Sequence, residues 1–454
     1  MPLRRPQSFC ATGPRGADAR QSVESTYSGL LKQPDKQKRP SRPPRSSVVS
    51  GVSRTTSAIM FHMKWSLCAV ALLCGSAVFA QPRMSFDYAA MAKRIVQHLA
   101  LEQGERVVSI AHPGTFAALV PFIRYEVMRA GGVDLGVVDV LEEPVPASFE
   151  TAVLQKGARE ARAHYKPMFR DIDAAIMLPG ANTSHPAYLA MQDWLKEDLT
   201  ERRGRRTIHF HWVEGGSAYP IAGQPLPPRF EIDALYQRAL LQTDYTALAE
   251  AQRRFAAALK TGDAHITSPA GTDLRFRAGD RPVNVQDGDA SRARAAQGAV
   301  LIDKEIELPA GAIRVAPLED SVDGVVAFAP SQWDGRPVEG LKLRFARGRV
   351  VDITATSGKA AVEAEMQKAG AAGRAFREFA LGFNPLLAVP DRAPWIPYYG
   401  YGSAVVRLSL GDNSELGGRI SGGYVRWNFF TDVTVTIGGT EWTRDGKLTR
   451  TAGL

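Results

Sequence analysis

Apolar positions recur at helical spacing from Tyr88 to Leu101, where Ala92, Ile95, Val96, Leu99 and Leu101 share one broad face. Glu102-Gln103-Gly104-Glu105 reads as a turn, Arg106 to Ile110 as a short strand, and Phe116 to Arg129 as a second helix stopped by Ala130-Gly131-Gly132. Val133 to Val140 is an apolar, β-branched strand. Asp173–Leu178 and Thr207–Val213 add two strands, with a helix between them over Pro186–Thr200. This alternation predicts an α/β N-terminal domain, a parallel sheet with flanking helices.

Leu235 to Lys260 predicts one long helix, after which the pattern changes to period two. Strands are expected at 264–266, 273–277, 313–317, 325–328 and 341–353, a helix at 359–369, and closing strands at 404–410 and 432–437, with Gly, Asn and Asp turns between them. The expectation is an N-terminal α/β domain over 81–260, followed by an α+β, β-rich C-terminal domain over 261–454.

The remainder of the chain reads as a leader. Residues 1–59 are rich in Pro, Ser, Arg and Gln, show no apolar period and read as disordered. Residues 60–80 have a signal peptide's form: Met63-Lys64, an apolar run from Trp65 to Phe79, and Val78-Phe79-Ala80 before Gln81. That run is short for a membrane span, so membrane contact is expected only through an uncleaved signal segment. The protein is expected to be exported, periplasmic or secreted, with translation starting at Met60 or Met63.

Charge and cysteine support this division. Of 56 Lys and Arg, 12 precede Gln81; of 47 Asp and Glu, 3 do. The mature part is therefore formally neutral, and a general basic footprint for nucleic acid is excluded. All three cysteines, at 10, 68 and 74, lie in the leader, so the mature chain offers no thiolate nucleophile, zinc-thiolate site or iron–sulfur cluster. No Gly-rich dinucleotide fingerprint follows a strand, and no Gly-x-Ser-x-Gly elbow is present.

A few local patterns carry chemistry. His209 and His211 would share one face of a strand, either as metal ligands or as two polar rings. The loop Gly411-Asp412-Asn413-Ser414-Glu415-Leu416-Gly417-Gly418 offers hard oxygen donors suited to calcium, magnesium or manganese, or is an ordinary turn. Trp395, Tyr398, Tyr399 and Tyr401 either line a peptide cleft or pack on the core.

Three blocks occur in a telling order. They are Thr267-Ser268-Pro269-Ala270-Gly271-Thr272-Asp273-Leu274, then Leu308-Pro309-Ala310-Gly311 with Ala316-Pro317-Leu318-Glu319-Asp320-Ser321-Val322-Asp323-Gly324, then Arg377-Glu378-Phe379-Ala380-Leu381-Gly382-Phe383-Asn384-Pro385. Together they resemble the thermophilic-metalloprotease class of aminopeptidases, the aminopeptidase T and aminopeptidase S family, over roughly residues 85–445. The resemblance implies removal of N-terminal residues from peptides by paired divalent ions (zinc, cobalt, manganese or magnesium). It also implies a homodimer through the C-terminal half. Glu319 and Glu378 match the family's acidic site residues and are the expected catalytic pair. A remodelled metal set would draw on Glu319, Glu378, Asp412 and Asp432, with Arg407, Arg426, Asn428 and Tyr401 in contact with substrate.

The departure lies in the histidines. None follows His265, and Arg407, Arg426 and Asn428 fall where the family places His, His and Asp. An arginine carries a fixed positive charge and cannot ligate a metal. Two readings stand: an exported aminopeptidase with a remodelled site, or a non-catalytic relative in which arginines facing Glu319 and Glu378 replace the metals by ion pairs. N-terminal sequencing of the mature protein is expected to begin at Gln81; a start at Met1 would refute the leader assignment.

Overall fold

The computed structural model describes residues 84–111, 116–139, 148–178, 186–210, 212 and 216–454. The leader, its expected cleavage site and His211 lie outside them.

The parallel sheet expected at the N-terminus is present. Helix α1 (Tyr88–Leu99) starts where the Asp87 side chain accepts the Ala90 N–H at 2.9 Å, and it buries Met91, Ala92, Ile95, Val96 and Leu99. After it come β1 (Arg106–Ala111), α2 (Val120–Arg129), β2 (Val133–Asp139), α3 (Thr151–Met168), β3 (Ala174–Met177), α4 (Pro186–Glu201) and β4 (Arg206–His209). Alternation along the strands gives the sheet two cores. Val107, Ala174, Ile176 and Ile208 join the main core, while Val108, Ile110, Ala175 and Met177 pack with Phe169 and Trp194 on the other face.

The fifth strand comes from beyond the boundary expected at residue 260. β5 (Glu305–Glu307) pairs in parallel with β4 and closes the order β2-β1-β3-β4-β5. A buried ion pair holds it there. Lys304 Nζ lies 2.7 Å from Asp198 Oδ2 on α4, and both side chains are fully buried. The Asp198 carboxylate also accepts the N–H groups of Arg203, Gly204 and Arg205 at 2.8–3.1 Å, and Lys304 donates to the Ala295 carbonyl at 2.8 Å.

The long helix expected over 235–260 is two helices, α5 (Arg229–Gln242) and α6 (Tyr245–Thr261). Asp244 breaks the run because its carboxylate accepts from Thr246 and Ala247 N–H and caps a new helix. The strand expected over 341–353 is likewise a hairpin of Lys342–Ala346 and Arg349–Thr354, turned by Arg347 and Gly348, both at positive φ.

Two antiparallel sheets make up the β-rich half. One runs Arg349–Thr354, Lys342–Ala346, Asp323–Ala327, Asp273–Phe276, Ala264–Thr267, Thr434–Ile437, Thr440–Arg444, Lys447–Leu448. The other carries the site. Its central strands are β6 (Ala312–Val315), β7 (Phe376–Gly382) and β8 (Val406–Gly411), flanked by Val283–Val285 on the β6 side and Val425–Arg426 on the β8 side. β7 is buried along its whole length, and residues of both halves belong to one continuous core. Asp198→Ala would strand the Lys304 ammonium in that interior. The expected outcome is a loss of about 3–5 kcal/mol in urea denaturation.

Candidate functional site

The register of the central sheet assembles the site. Arg314 on β6 and Arg407 on β8 both stand opposite Ala380 of β7, so the three lie in one cross-strand row on one face. Ala380 is small and leaves the space between the two arginines open. Glu378, two residues along β7, points to the same face and fills that space. Opposite Glu378 stands Ser409. The register then shifts between Phe376 and Glu378, a bulge in which Arg377 is the extra residue. Strict alternation would send Arg377 to the far side of the sheet. Here Arg377 and Glu378 share the cluster.

Glu378 is fully buried and surrounded by donors. Its Oε2 accepts from Arg314 Nη2 at 3.0 Å and Nε at 3.3 Å, and its Oε1 from Ser409 Oγ at 3.2 Å. Arg407 Nε lies 2.7 Å from Oε1, and Arg377 Nε lies 3.7 Å from Oε2. Burial alone would raise this carboxyl, but the charges of Arg314, Arg407 and Arg377 outweigh it and hold it well below the usual carboxylate range. Glu415 adds a second carboxylate, accepting from Arg377 and, at 3.0 Å, from Arg314 Nη2. Burial works against its charge too, and Arg377 and Arg314 again prevail.

Three guanidinium nitrogens in this cluster make no aligned hydrogen bond, and one of them, Arg407 Nη2, faces no carboxylate either. Arg377 Nε, Arg407 Nε and Arg407 Nη2 are buried without a hydrogen-bond partner. For Arg407 Nε, close approach to Glu378 comes without the alignment a hydrogen bond needs. Arg407 is otherwise held by the Tyr399 carbonyl, 3.1 Å from Nη1, and its guanidinium lies 5.2 Å from the Trp427 ring centroid.

The other expected site residues are dispersed. Glu319 is half-buried in a separate pair with Arg281 and accepts the Arg419 N–H at 2.7 Å and Asn413 Nδ2 at 3.4 Å. Asp412 is a turn residue, its oxygens taken by Ser414 N–H and Oγ and by the N–H groups of Gly422 and Gly423, all within 2.9 Å. Asp432 is exposed at the head of a strand in the eight-stranded sheet. The expected set of Glu319, Glu378, Asp412 and Asp432 is therefore corrected: these carboxylates do not converge.

The reading in which Arg426 faces Glu319 or Glu378 is corrected as well. Arg426 turns away to pair with Glu365 at 2.8 Å and lies 3.5 Å from the Trp333 centroid; Asn428 is tied to Arg426 Nε and the Leu408 carbonyl. Arg407 does face Glu378. Tyr401 is fully buried, and burial followed by the Glu307 carboxylate holds it as the neutral phenol.

The same site runs into the parallel sheet. Glu307 of β5 lies 3.9 Å from Arg314 Nη1, and Glu305 faces His209 of β4 with 3.7 Å between Oε1 and Nε2. Burial, then the charges of Glu415 and Glu307, push the Glu305 carboxyl from 4.5 up to about 8.

Paired divalent ions of the kind implied by the sequence resemblance do not fit these residues. Among the described residues no group of three or more His, Cys, Asp or Glu side chains is placed to hold a metal. The lone pairs of Glu378 face fixed cations, and those of Asp412 face N–H and O–H donors.

Residues 243–386 match the thermophilic metalloprotease (M29) family. Among solved structures the chain is similar to AmpT from Thermus thermophilus, with 18% identity, 80% of this chain and 98% of that one covered, and a TM-score of 0.51. It is also similar to 2,5-dihydroxypyridine dioxygenase from Pseudomonas putida KT2440, with 13% identity, 81% and 98% covered, and a TM-score of 0.55. At these identities the likeness shows the fold alone. No curated protein matches the chain. The metalloprotease resemblance carried by Gly271–Leu274, Ala316–Gly324 and Glu378–Pro385 is the one the family match returns.

Two outcomes follow from the site. Glu378→Gln removes the charge that three arginines surround and is expected to cost about 3–5 kcal/mol in urea denaturation. Glu305 takes up a proton on folding, so its contribution to stability is full below pH 4.5 and is lost as pH rises to about 8. In melts across that window Glu305→Gln is expected to gain on the wild type as pH increases. Parallel profiles for the two would contradict the assignment.

Proposed function

We propose that this chain, a relative of the thermophilic metalloproteases over residues 243–386, is an exported, non-hydrolytic member of an aminopeptidase lineage that binds peptides. The observation that carries the reading is the fully buried Glu378 enclosed by Arg314, Arg377 and Arg407. In a two-metal exopeptidase such a carboxylate would be free to ligate an ion, and the ions would hold a water and polarise the scissile carbonyl. Here the carboxylate is neutralised by guanidiniums. These donate hydrogen bonds but offer no open coordination position for a water. Family relationship supports the peptide as ligand. Export rests on the signal-like segment 60–80, and the absence of cysteine after residue 80 is compatible with any redox compartment.

The competing reading is a metal-dependent aminopeptidase with a remodelled site, favoured by the family match itself. Elemental analysis of the purified protein separates the two, combined with hydrolysis of aminoacyl anilides with and without zinc, cobalt, manganese and magnesium. The expected outcome is no stoichiometric metal and no turnover. Stoichiometric metal, with turnover that Glu319→Ala abolishes, would establish the competing reading.

A further inference from the structure

An unused N–H on a buried guanidinium is costly. In water each donor would be satisfied, and leaving one unpaired in the interior forfeits that solvation with nothing in return. Unpaired buried groups are rare enough that each calls for a cause. In this molecule Arg407 Nη2 is buried with no acceptor, and its neighbours Arg407 Nε and Arg377 Nε, 2.7 and 3.7 Å from the Glu378 carboxylate, make no aligned hydrogen bond. The cluster has little surplus charge, because Glu378, Glu415 and, at 3.9 Å, Glu307 stand against Arg314, Arg377 and Arg407. What it has in excess is directed N–H capacity, which calls for an acceptor from outside the chain.

The surroundings of Arg407 fit such an acceptor. Trp427 lies against its guanidinium, and Trp427, Tyr399, Tyr219 and Phe429 form a run of half-buried rings with centroids 4.7–5.9 Å apart. The turn that supplies Tyr399 is strained: Tyr398 and Tyr399 both have positive φ, at 34° and 54°, a region that side chains other than glycine's rarely occupy. Such strain concentrates where a segment binds or switches. The Tyr399 carbonyl is the acceptor of Arg407 Nη1, so the strained turn and the arginine head are mechanically tied.

We propose that Arg407, with Arg377 beside it, is a carboxylate-binding seat with an aromatic rim, reached when the Tyr399–Trp427 cover opens. The ligand class is an acid carrying an apolar or aromatic group. Its carboxylate, from a peptide C-terminus or a free small acid, takes the Arg407 Nη2 donor, and its apolar part lies on the rings. The inference rests on the non-hydrolytic reading above and gives it a direction. An aminopeptidase recognises the free amine of its substrate, whereas this site recognises the opposite end.

Calorimetric titration of the full chain tests this with acetyl-Ala-Phe, its C-terminal amide, Ala-Phe-amide with a free amine, and acetate. Acetyl-Ala-Phe is expected to bind at least about tenfold more tightly than its amide, with a change in tryptophan emission that Trp427→Phe removes. Arg407→Gln is expected to lower the acid to the level of the amide. Binding of acetate that displaces the peptide would point to a free small acid as a second source of the same group. Equal affinity for acid and amide, an acid preference that survives Arg407→Gln, or no binding of any probe would overturn the inference. Because the acid–amide comparison is made on the unmodified protein, it stands even if Arg407→Gln does not fold. Binding that requires the free amine, without turnover, would overturn the carboxylate seat and leave the non-hydrolytic reading intact. Release of alanine from Ala-Phe-amide by metal-loaded protein would overturn that reading itself.

Discussion

A carboxylate with no access to water sets the terms for the C-terminal half of this protein. Desolvating an ion such as Glu378 carries a penalty of several kcal/mol even after relaxation, and the chain meets it with three guanidiniums drawn from three positions on neighbouring strands. Much of the local architecture follows from this. Ala380 must be small because arginines flank it on both sides. The bulge before Glu378 is needed to bring Arg377 onto the same face. The loop after β8 must turn so that Glu415 reaches Arg377 and Arg314. Asp412 holds that turn through four donors of the loop. A buried ion network of this kind is weak evidence for stability and better evidence for a specified arrangement, since every alternative packing leaves a charge unpaired.

The network also explains how the two halves are joined. β5 comes from the β-rich half of the sequence but completes the parallel sheet. Its Glu307 faces Arg314, and its Glu305 faces His209 across the sheet. On the other side of β5 the Asp198–Lys304 pair fixes the strand's approach. The short segment from Lys304 to Glu307 thus carries charge from the second core, through the edge of the parallel sheet, to the arginine cluster. A linear division of the chain at residue 260 separates the sequence patterns, but the cores and charges cross it.

How much of this could be read in the sequence depends on the range of the interactions. The helix at Tyr88 and strands such as Ala312–Val315 are set by local period and cap chemistry, and both are legible. The break at Asp244 is also local, but a capping carboxylate inside a helical pattern is indistinguishable from a surface one until the chain turns. β5 is hidden because Glu-Ile-Glu is too short and too polar to read as a buried strand. Glu378 stands out through the family blocks, and Arg407 stands out as an arginine where an imidazole was due. Arg314 and Arg377 were missed. The available signal for Arg314 was a lone cation inside the apolar strand Ala-Ile-Arg-Val; such a residue is seldom buried without a partner. Arg377 heads the block that contains Glu378, but its place in the cluster gives no sequence signal, because only the bulge sets it beside Glu378, and the bulge is a property of the pairing.

On the proposed reading, guanidinium in place of imidazole changes what the site can do more than its charge does. A divalent ion and a cluster of arginines are both positive, and both can draw an anion or a carbonyl oxygen. The ion, however, holds a water and lowers its pKa toward neutrality, which creates the nucleophile. A guanidinium has only donors, in a fixed planar fork matched to carboxylate geometry. Substituting one for the other keeps the attraction and removes the attack. A scaffold altered in the way proposed would be left with the recognition half of hydrolysis. In this protein Arg407 Nη2 is buried without an acceptor, and on the proposed reading it is the donor that an outside carboxylate would take.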